Sequence, residues 1–383
     1  MSAERGERLR VLHLHSSFDR GGKELRAARL MNAFGRGIAH DVVSAVPGAL
    51  GAASAIDRGI RVTYPEAFPS LSGKPTPGRL QRIAAAMKPY DLILTYNWGA
   101  MDAVMAHTVF REFVGLPPLV HHEDGFNEDE ADRLKTTRNW YRRIALGRAS
   151  ALVVPSRKLE KVALGAWQQP AGRVVVIPNG IKLAAYKKKP APDALSRIVK
   201  RPGEFWVGTL AGLRAVKNLP RLVRAFAGLP EEWQLVILGE GPERDAIKAQ
   251  ALASGIAHRV HLPGFAPDPA KALGLFDIFA LSSESEQFPI SVIEAMAAGL
   301  PVASSDVGDV ADMVAAENRE FICAPRDDDA LARVLSRLAA DAPARAAIGG
   351  ANRAHAAKHF DEGRMIEAYR QVYARALGKP QFP

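Results

Sequence analysis

The segment IFALSSESEQFPISVIEAMAAGLPV, residues 278–302, predicts a strand, a loop and a helix in that order. Residues 278–283 have the length and composition of a buried strand, and Pro289 suits the first turn of the following helix. Gly299, with a proline two residues later, marks the end of that helix. A strand that leads through a short loop into a helix is one unit of a parallel sheet, so this segment predicts an α/β fold.

Glu294 is a carboxylate inside this otherwise apolar helix. The residues three and four positions away are Ile290, Ser291, Ala297 and Ala298, so no cation of the same helix pairs with it. A buried carboxylate is costly unless it accepts hydrogen bonds, and ligand hydroxyl groups would supply them. The alternative is that Glu294 emerges at the helix surface.

A second carboxylate, Glu286, lies in the loop between the strand and the helix. The helix begins along Phe288, Pro289 and Ile290, and exposed backbone amides at such an end bind phosphate without help from a cation. The loop therefore combines an acidic side chain with a predicted anion-binding helix end.

Short runs rich in Val, Ile and Leu alternate with helical patterns along nearly all 383 residues. This alternation predicts two Rossmann-like, doubly wound α/β domains that face each other across a cleft, with ligands at the carboxyl ends of the strands. The predicted segments are an N-terminal domain, a basic, proline-bearing linker, a C-terminal domain, and a helix that returns to the first domain. Their ranges are 1–185, 186–203, 204–357 and 358–383.

The chain carries a net charge of +10, which suits phosphorylated substrates or an anionic membrane. Two basic clusters stand out, at 133–148 and 186–192. The first mixes cations with Trp140 and Ile144, so it fits either a membrane surface or an ordinary solvated helix face. No nucleic-acid-binding signature occurs, so nucleic acid is not an expected partner.

The composition is that of a globular protein, with 48% hydrophobic and 24% charged residues. The polar N-terminal segment does not resemble a secretory signal, and no apolar run approaches the ~18 residues that a membrane span needs. A single cysteine, Cys323, is best explained as a small buried side chain. These features predict a cytoplasmic protein, peripheral at the inner membrane face if the basic clusters bind lipid.

Glu286, seven residues, Glu294 and then Ala-Met-Ala-x-Gly-x-Pro-Val resemble the signature of family four, the retaining glycosyltransferases with the GT-B fold. The resemblance covers nearly the whole chain, and it implies that the N-terminal domain is the acceptor side and that the C-terminal domain binds the nucleotide sugar. It implies that Glu286 contacts the donor sugar and that Glu294 contacts the nucleotide ribose. Gln287 stands where the family usually has glycine.

Other loops resemble the same family. Gly21 and Gly22 follow the first strand as the family's glycine loop does, although a pair of glycines also suits any tight turn. Asn179 lies in VIPNGI, which resembles the segment that closes the family's first domain. The family places an arginine and a lysine against the donor diphosphate. Lys217 takes the lysine position, whereas the arginine position is Gly212, and Arg214 is expected to supply the missing charge.

The segment LVHHEDGFNEDEADR, residues 119–133, leaves one role open. A bacterial subgroup linked to exopolysaccharide systems has Glu-His-Gly here, and its histidine lies near the donor sugar. This chain has Asp124 at that position, and His122 precedes it, so either residue is a candidate. Asn97, at the end of the preceding strand, lies in a stretch that also resembles this subgroup.

The resemblance implies a retaining transfer of sugar from a nucleotide diphosphate to a glycan or lipid-linked acceptor in cell-surface polysaccharide synthesis. A UDP-sugar is expected before a GDP-sugar, and neither a cofactor nor a metal is required. Two alternatives stay open: a sugar-nucleotide epimerase or hydrolase with the same fold, and a binding scaffold that has lost catalysis.

Overall fold

The computed structural model describes residues 8–126, 130 and 134–383. The N-terminal segment used for the secretory-signal prediction therefore lies largely outside the described residues, as do 127–129 and 131–133 of the acidic segment discussed above. No helix in the part of the chain that the structure describes is long and apolar enough to cross a membrane.

Thirteen strands are present among the described residues, and all of their pairings are parallel. The strands of the first sheet are β1 Leu9–His15, β2 Ile38–Ser44, β3 Arg61–Thr63, β4 Leu92–Tyr96, β5 Leu119–His122, β6 Ala151–Val154 and β7 Val174–Val176. Those of the second are β8 Phe205–Leu210, β9 Trp233–Leu238, β10 Val260–Gly264, β11 Ile278–Leu281, β12 Val302–Ser305 and β13 Ile322–Cys323.

Helices connect most of these strands. In the first half they are α1 Gly22–Phe34, α2 Pro77–Met87, α3 Met101–Val114, α4 Thr136–Ala145 and α5 Arg157–Gly165. In the second half they are α6 Leu219–Phe226, α7 Arg244–Ala253, α8 Pro269–Leu273, α9 Ile290–Ala298, α10 Val310–Met313, α11 Asp328–Ala340, α12 Ala342–His359 and α13 Glu362–Ala376.

The first sheet has the strand order β3-β2-β1-β4-β5-β6-β7, and the second has β10-β9-β8-β11-β12-β13. Each is a doubly wound sheet whose order reverses once, between β1 and β4 or between β8 and β11. Strands β4, β5, β11 and β12 are buried along their whole length, which explains their continuous apolar runs. The predicted α/β class with two parallel, doubly wound sheets is confirmed.

The chain divides into two compact units, 1–178 with 365–383 and 179–364. This division differs from the predicted boundaries near 185 and 203. Tyr186 and Leu195 are buried in the core of the second unit, so the segment expected as a linker packs against that unit. Most of α13 belongs to the first unit, where Tyr369 and Tyr373 enter its core.

Candidate active site

The point where the second sheet reverses its order brings two loops together. Residues 211–218 follow β8, and residues 282–289 follow β11. The Glu284 amide donates to the Val216 carbonyl at 2.9 Å, and the Ser282 hydroxyl donates to the Lys217 carbonyl at 2.9 Å. Ligands of doubly wound sheets bind at such a reversal, so these loops form a candidate site.

Lys217 and Glu286 meet in this site. The Lys217 ammonium donates to Glu286 Oε1 at 2.5 Å, and the Ser283 hydroxyl donates to the same oxygen at 2.7 Å. Both charged side chains stay partly exposed, 23% for lysine and 12% for glutamate. An ion pair at the open edge of a sheet holds each charge in place while leaving it accessible to a ligand.

Three glycines of neighbouring loops allow those loops to approach residues 211–218 and 282–289 closely. A Cβ on Gly239 would lie 1.8 Å from the Ala211 carbonyl oxygen, and one on Gly241 would lie 2.4 Å from that of Leu213. A Cβ on Gly308 would lie 2.5 Å from the Gln287 carbonyl oxygen. All three have positive φ angles, so side chains are excluded by both backbone conformation and space.

Helix α9 begins at Ile290 directly after Pro289, without a side-chain cap at its N-terminus, and ends before Gly299 in the left-handed conformation. Both ends therefore agree with the sequence-based prediction. Backbone amides of the first turn are thus open to an anion. The Phe288 ring packs against Phe360 with 5.7 Å between ring centroids, which holds the start of α9 in place.

Glu294 is buried on α9, with 8% of its surface exposed. The Tyr186 hydroxyl donates to Glu294 Oε1 at 3.0 Å. This hydrogen bond explains how a carboxylate is tolerated in an apolar helix. The alternative of an exposed surface glutamate does not describe this residue.

Arg214 is exposed, and its side chain lies close to Gly212, which has no side chain of its own. A Cβ on Gly212 would be 3.8 Å from Arg214 Nε. The arginine side chain therefore extends back over Gly212, two residues from where the family has its own arginine.

In the first unit, the corresponding reversal between β1 and β4 brings Asn97, Asp124 and Arg26 together. The Asp124 amide donates to Asn97 Oδ1 at 2.8 Å. Arg26, on α1, donates to both carboxylate oxygens of Asp124 at 2.5 and 2.7 Å. Burial disfavours the ionised carboxylate, but the guanidinium outweighs that effect, so the pKa of Asp124 lies below its ordinary value.

His122 is buried and lies two residues before Asp124 in the chain. Its Nδ1 donates to the Thr95 carbonyl at 3.1 Å, and its Nε2 accepts from the Tyr373 hydroxyl at 2.9 Å. Burial lowers the pKa of His122 to about 3, so the ring is neutral. Both ring nitrogens are used inside the protein, whereas part of the Asp124 carboxylate faces the edge of the sheet.

Gly21 and Gly22 begin helix α1 in the same unit. A Cβ on Gly21 would lie 2.5 Å from Glu24 Oε2, so this glycine makes room for the Glu24 carboxylate, which pairs with Lys23. Asn179 lies at the start of the second unit and is buried. Among the described residues, no group of three or more His, Cys, Asp and Glu side chains is arranged to hold a metal ion.

Sequence reasoning missed four residues that shape these sites: Arg26, Tyr186, Ser283 and Gly308. Arg26 and Tyr186 carry no local signal, because their partners are 98 and 108 positions away along the chain. Ser283 had a signal, since it immediately follows a predicted strand and precedes Glu286 by three residues.

Two family descriptions match the chain. Glycosyltransferase Family 4 matches residues 20–185, and Glycosyl transferases group 1 matches residues 194–355. Together they cover most of the sequence, and the chain belongs to the family-four glycosyltransferases with the GT-B fold.

Relatives and solved structures agree with this assignment. The chain is 28% identical to the 2-deoxystreptamine glucosyltransferase of Streptomyces kanamyceticus, over 76% of this chain and 79% of that protein. It is 29% identical to the lipopolysaccharide core biosynthesis mannosyltransferase LpcC of Rhizobium leguminosarum, over 53% and 60%. The crystal structure of Anabaena Alr3699/HepE in complex with UDP has a TM-score of 0.79 at 23% identity, covering 96% of this chain and 100% of that chain.

Proposed function

We propose that this glycosyltransferase moves a sugar, with retention of configuration, from a UDP-linked donor to a glycan or lipid-linked acceptor in cell-surface polysaccharide synthesis. The observation that carries the proposal is the Lys217–Glu286 pair at 2.5 Å beside the open N-terminus of α9. It combines a cation, a carboxylate and free amides at the order reversal of one sheet.

These groups suit a nucleotide diphosphate. Lys217 and the amides at the start of α9 would stabilise the negative charge of the departing diphosphate. Glu286 would orient the donor sugar through its hydroxyl groups. Glu294, held by Tyr186, would accept hydrogen bonds from the ribose, and the extension of Arg214 over Gly212 supports its role as the second diphosphate-binding cation.

The reaction balances with these groups alone. The bond between the anomeric carbon and the β-phosphate oxygen breaks, and the acceptor oxygen bonds to the same carbon on the same face. The acceptor proton passes to the departing phosphate oxygen. No side chain needs to act as a strong base, which agrees with the engagement of Glu286 by Lys217 and Ser283.

UDP is favoured over GDP because HepE, which has a similar fold, is solved with UDP and with UDP-glucose. Polysaccharide synthesis is supported by the similarity to the lipopolysaccharide mannosyltransferase LpcC.

Binding at an anionic membrane surface is part of the proposal. Trp140 and Ile144 lie one turn apart on α4 and are 55% and 56% exposed. The Arg143 guanidinium lies 4.9 Å from the centroid of the Trp140 ring. Exposed aromatic and aliphatic side chains bordered by arginines are typical of helices that bind lipid headgroups.

The direct test is thermal stabilisation by UDP, GDP and ADP. A nucleotide at a hundred times its dissociation constant adds about 2.7 kcal/mol to the free energy of unfolding. We expect UDP to give the largest shift in Tm, and Glu294→Gln to lose most of it. Tyr186→Phe, which keeps the carboxylate, should retain more of the shift. The absence of any nucleotide effect on the wild type would contradict the donor assignment.

Product analysis tests the reaction itself. Release of UDP from a UDP-sugar should depend on an added acceptor, and the glycosidic bond formed should keep the donor configuration. Release that is independent of any acceptor would instead indicate a hydrolase.

A further inference from the structure

The second unit contains a pocket at the amino ends of its strands, away from the Lys217–Glu286 pair. Glu204 directly precedes β8, and His258 and Arg259 directly precede β10; all three line the pocket. Lys217 and Glu286 follow β8 and β11, at the carboxyl ends of the strands. A strand of six residues such as β9 spans about 20 Å. The pocket is therefore separate from the candidate active site.

The pocket is large enough for a small organic molecule. Its volume is about 620 Å³, and pockets for such ligands have volumes of about 300–1,000 Å³. Leu195, Ile198 and Val199 provide aliphatic surface in the segment before β8, and Gln234 and His261 provide polar groups on β9 and β10. A ligand of mixed apolar and polar character fits this lining.

Two arginines of the pocket keep their guanidinium groups available to a ligand. Arg197 and Arg201 are exposed, and both line the pocket. Among the described residues, no acceptor contacts either guanidinium group; only the backbone amide of Arg201 is engaged, by Glu204. Arg197 Nη1 lies 3.8 Å from the position that a Cβ on Gly264 would take, so its side chain extends along the edge strand β10.

The carboxylates of the pocket already have partners. Glu204 Oε2 accepts from the Arg201 amide at 3.0 Å and from a tryptophan ring at 3.4 Å. Glu231 Oε2 lies 3.3 Å from His258 Nε2 and 3.5 Å from Arg259 Nε. Three guanidinium groups and two carboxylates line the pocket, so its net charge is positive even with neutral histidines. This charge favours an anionic ligand.

We infer that this pocket binds a small phosphorylated molecule, at a site separate from the one that carries out sugar transfer. A phosphate monoester carries nearly two negative charges and three acceptor oxygens, so it suits a wall with two arginines better than a single carboxylate group does. Ile198 and Val199 would contact the organic part of the ligand. The inference goes beyond the proposed function, since it depends on neither the donor nor the acceptor.

Removing the two arginines tests the charge requirement. Isothermal titration calorimetry with a panel of pentose and hexose monophosphates measures binding. Arg197→Met with Arg201→Met should weaken it by about tenfold or more, because hydrogen bonds to a charged group are lost. Arg333→Met is the matched control, since it removes an exposed arginine of the same unit that does not line the pocket.

Filling the pocket tests the cavity with both arginines in place. Val199 lines the pocket and is 55% exposed, so Val199→Trp should fold normally and exclude the ligand. Leu252→Trp adds the same ring at an exposed position of the same unit outside the pocket and should bind as the wild type does. Lys217→Met should also bind normally, because it changes only the candidate active site.

Binding that is lost in both pocket variants and kept in the three others supports the inference. Loss in Lys217→Met alone would assign the phosphate to the candidate active site and overturn it. Normal binding by either pocket variant, equal binding of the unphosphorylated sugars, or no binding to the wild type also overturns it. Inorganic phosphate that binds as tightly as the sugar monophosphates would make free phosphate the ligand and contradict the organic one.

Discussion

The carboxyl ends of the two sheets share a strand order but differ in chemistry. In the first unit the edge is built from buried groups: His15 and His122, which end β1 and β5, are at most 1% exposed, and Asp124 is held by Arg26. In the second unit the edge carries the Lys217–Glu286 pair, which remains partly exposed. The same topology thus supports one edge whose charges are satisfied by internal contacts and one whose charged side chains remain accessible to a ligand.

Breaking the buried pair of the first unit should have the largest effect on stability. Arg26→Met leaves the Asp124 carboxylate buried without its guanidinium, which typically costs about 3–5 kcal/mol. Urea unfolding measures the loss. Arg26→Met with Asp124→Asn should recover much of it, because no uncompensated charge remains. If Arg26→Met alone were as stable as the wild type, the Arg26–Asp124 pair would not stabilise the first unit as we infer.

Breaking the pair of the second unit should mainly affect activity. Lys217→Met removes a cation that would stabilise the departing diphosphate, and loss of one such group typically lowers kcat by about 10²–10³-fold. Acceptor-dependent UDP release measures the change. Lys248→Met removes an exposed lysine of the same unit and should leave the rate unchanged. Similar rates for both variants would contradict the role of Lys217.

Acid should destabilise the first unit through its buried histidines. Burial lowers the pKa of His122 to about 3 and that of His40 to about 4, whereas an unfolded histidine titrates near 6.5. Between the lowered pKa of each folded histidine and about pH 6.5, the unfolded chain therefore binds more protons than the folded chain. The contribution of each buried neutral histidine to the free energy of unfolding is fully present above about pH 6.5. Below that pH, the free energy of unfolding falls by about 1 kcal/mol per pH unit for each such histidine.

Calorimetry between pH 7.5 and 4.5 checks this prediction. His40→Asn should reduce the slope of stability against pH. An unchanged slope in His40→Asn would show that this histidine is not held neutral in the folded state.

Arg214 should have a smaller effect, confined to nucleotide affinity. Arg214→Ala is expected to weaken UDP binding by about 1.5–3 kcal/mol, the range for hydrogen bonds to charged groups. Titration calorimetry measures the affinity. Gly212→Arg combined with Arg214→Ala should restore it, because the arginine returns to the family position. Failure of the double variant to bind better than Arg214→Ala would contradict the compensation.

The membrane surface should give the weakest effect, because a few exposed side chains act together. Trp140→Ser with Ile144→Ser is expected to reduce sedimentation with vesicles that contain phosphatidylglycerol. Leu252→Ser with Phe265→Ser removes two exposed apolar residues of the second unit and is the control. Equal loss in both variants would mean that α4 is not a specific lipid-binding face.

Much of the fold was predictable because its signals are local. The strand predicted at 278–283 is present but ends two residues earlier, at Leu281. The helix begins directly after Pro289 and ends before Gly299, as these two residues predicted. The packing of Tyr186 against the second unit was not predictable, since a basic, proline-bearing segment favours a linker until its contacts are known.

The candidate site was predictable only where a motif named its residues. Glu286, Glu294 and Lys217 were implied by the resemblance to the family's motifs, and the structure brings Glu286 and Lys217 together. The open choice between His122 and Asp124 could not be decided from the sequence, because it depends on Arg26 and Tyr373, which are distant in the chain. Their contacts leave Asp124 at the sheet edge and enclose His122, so we now favour Asp124 for the family histidine's role.

The most direct test of the account is hydrogen exchange with and without UDP, followed in both units. We expect protection of amides in residues 211–218 and 284–292, the loops around Lys217 and Glu286, with little change around Asn97 and Asp124. Lys217→Met should weaken that protection. Protection confined to the first unit, or none in the second, would contradict the claim that the edge of the second sheet binds the nucleotide donor.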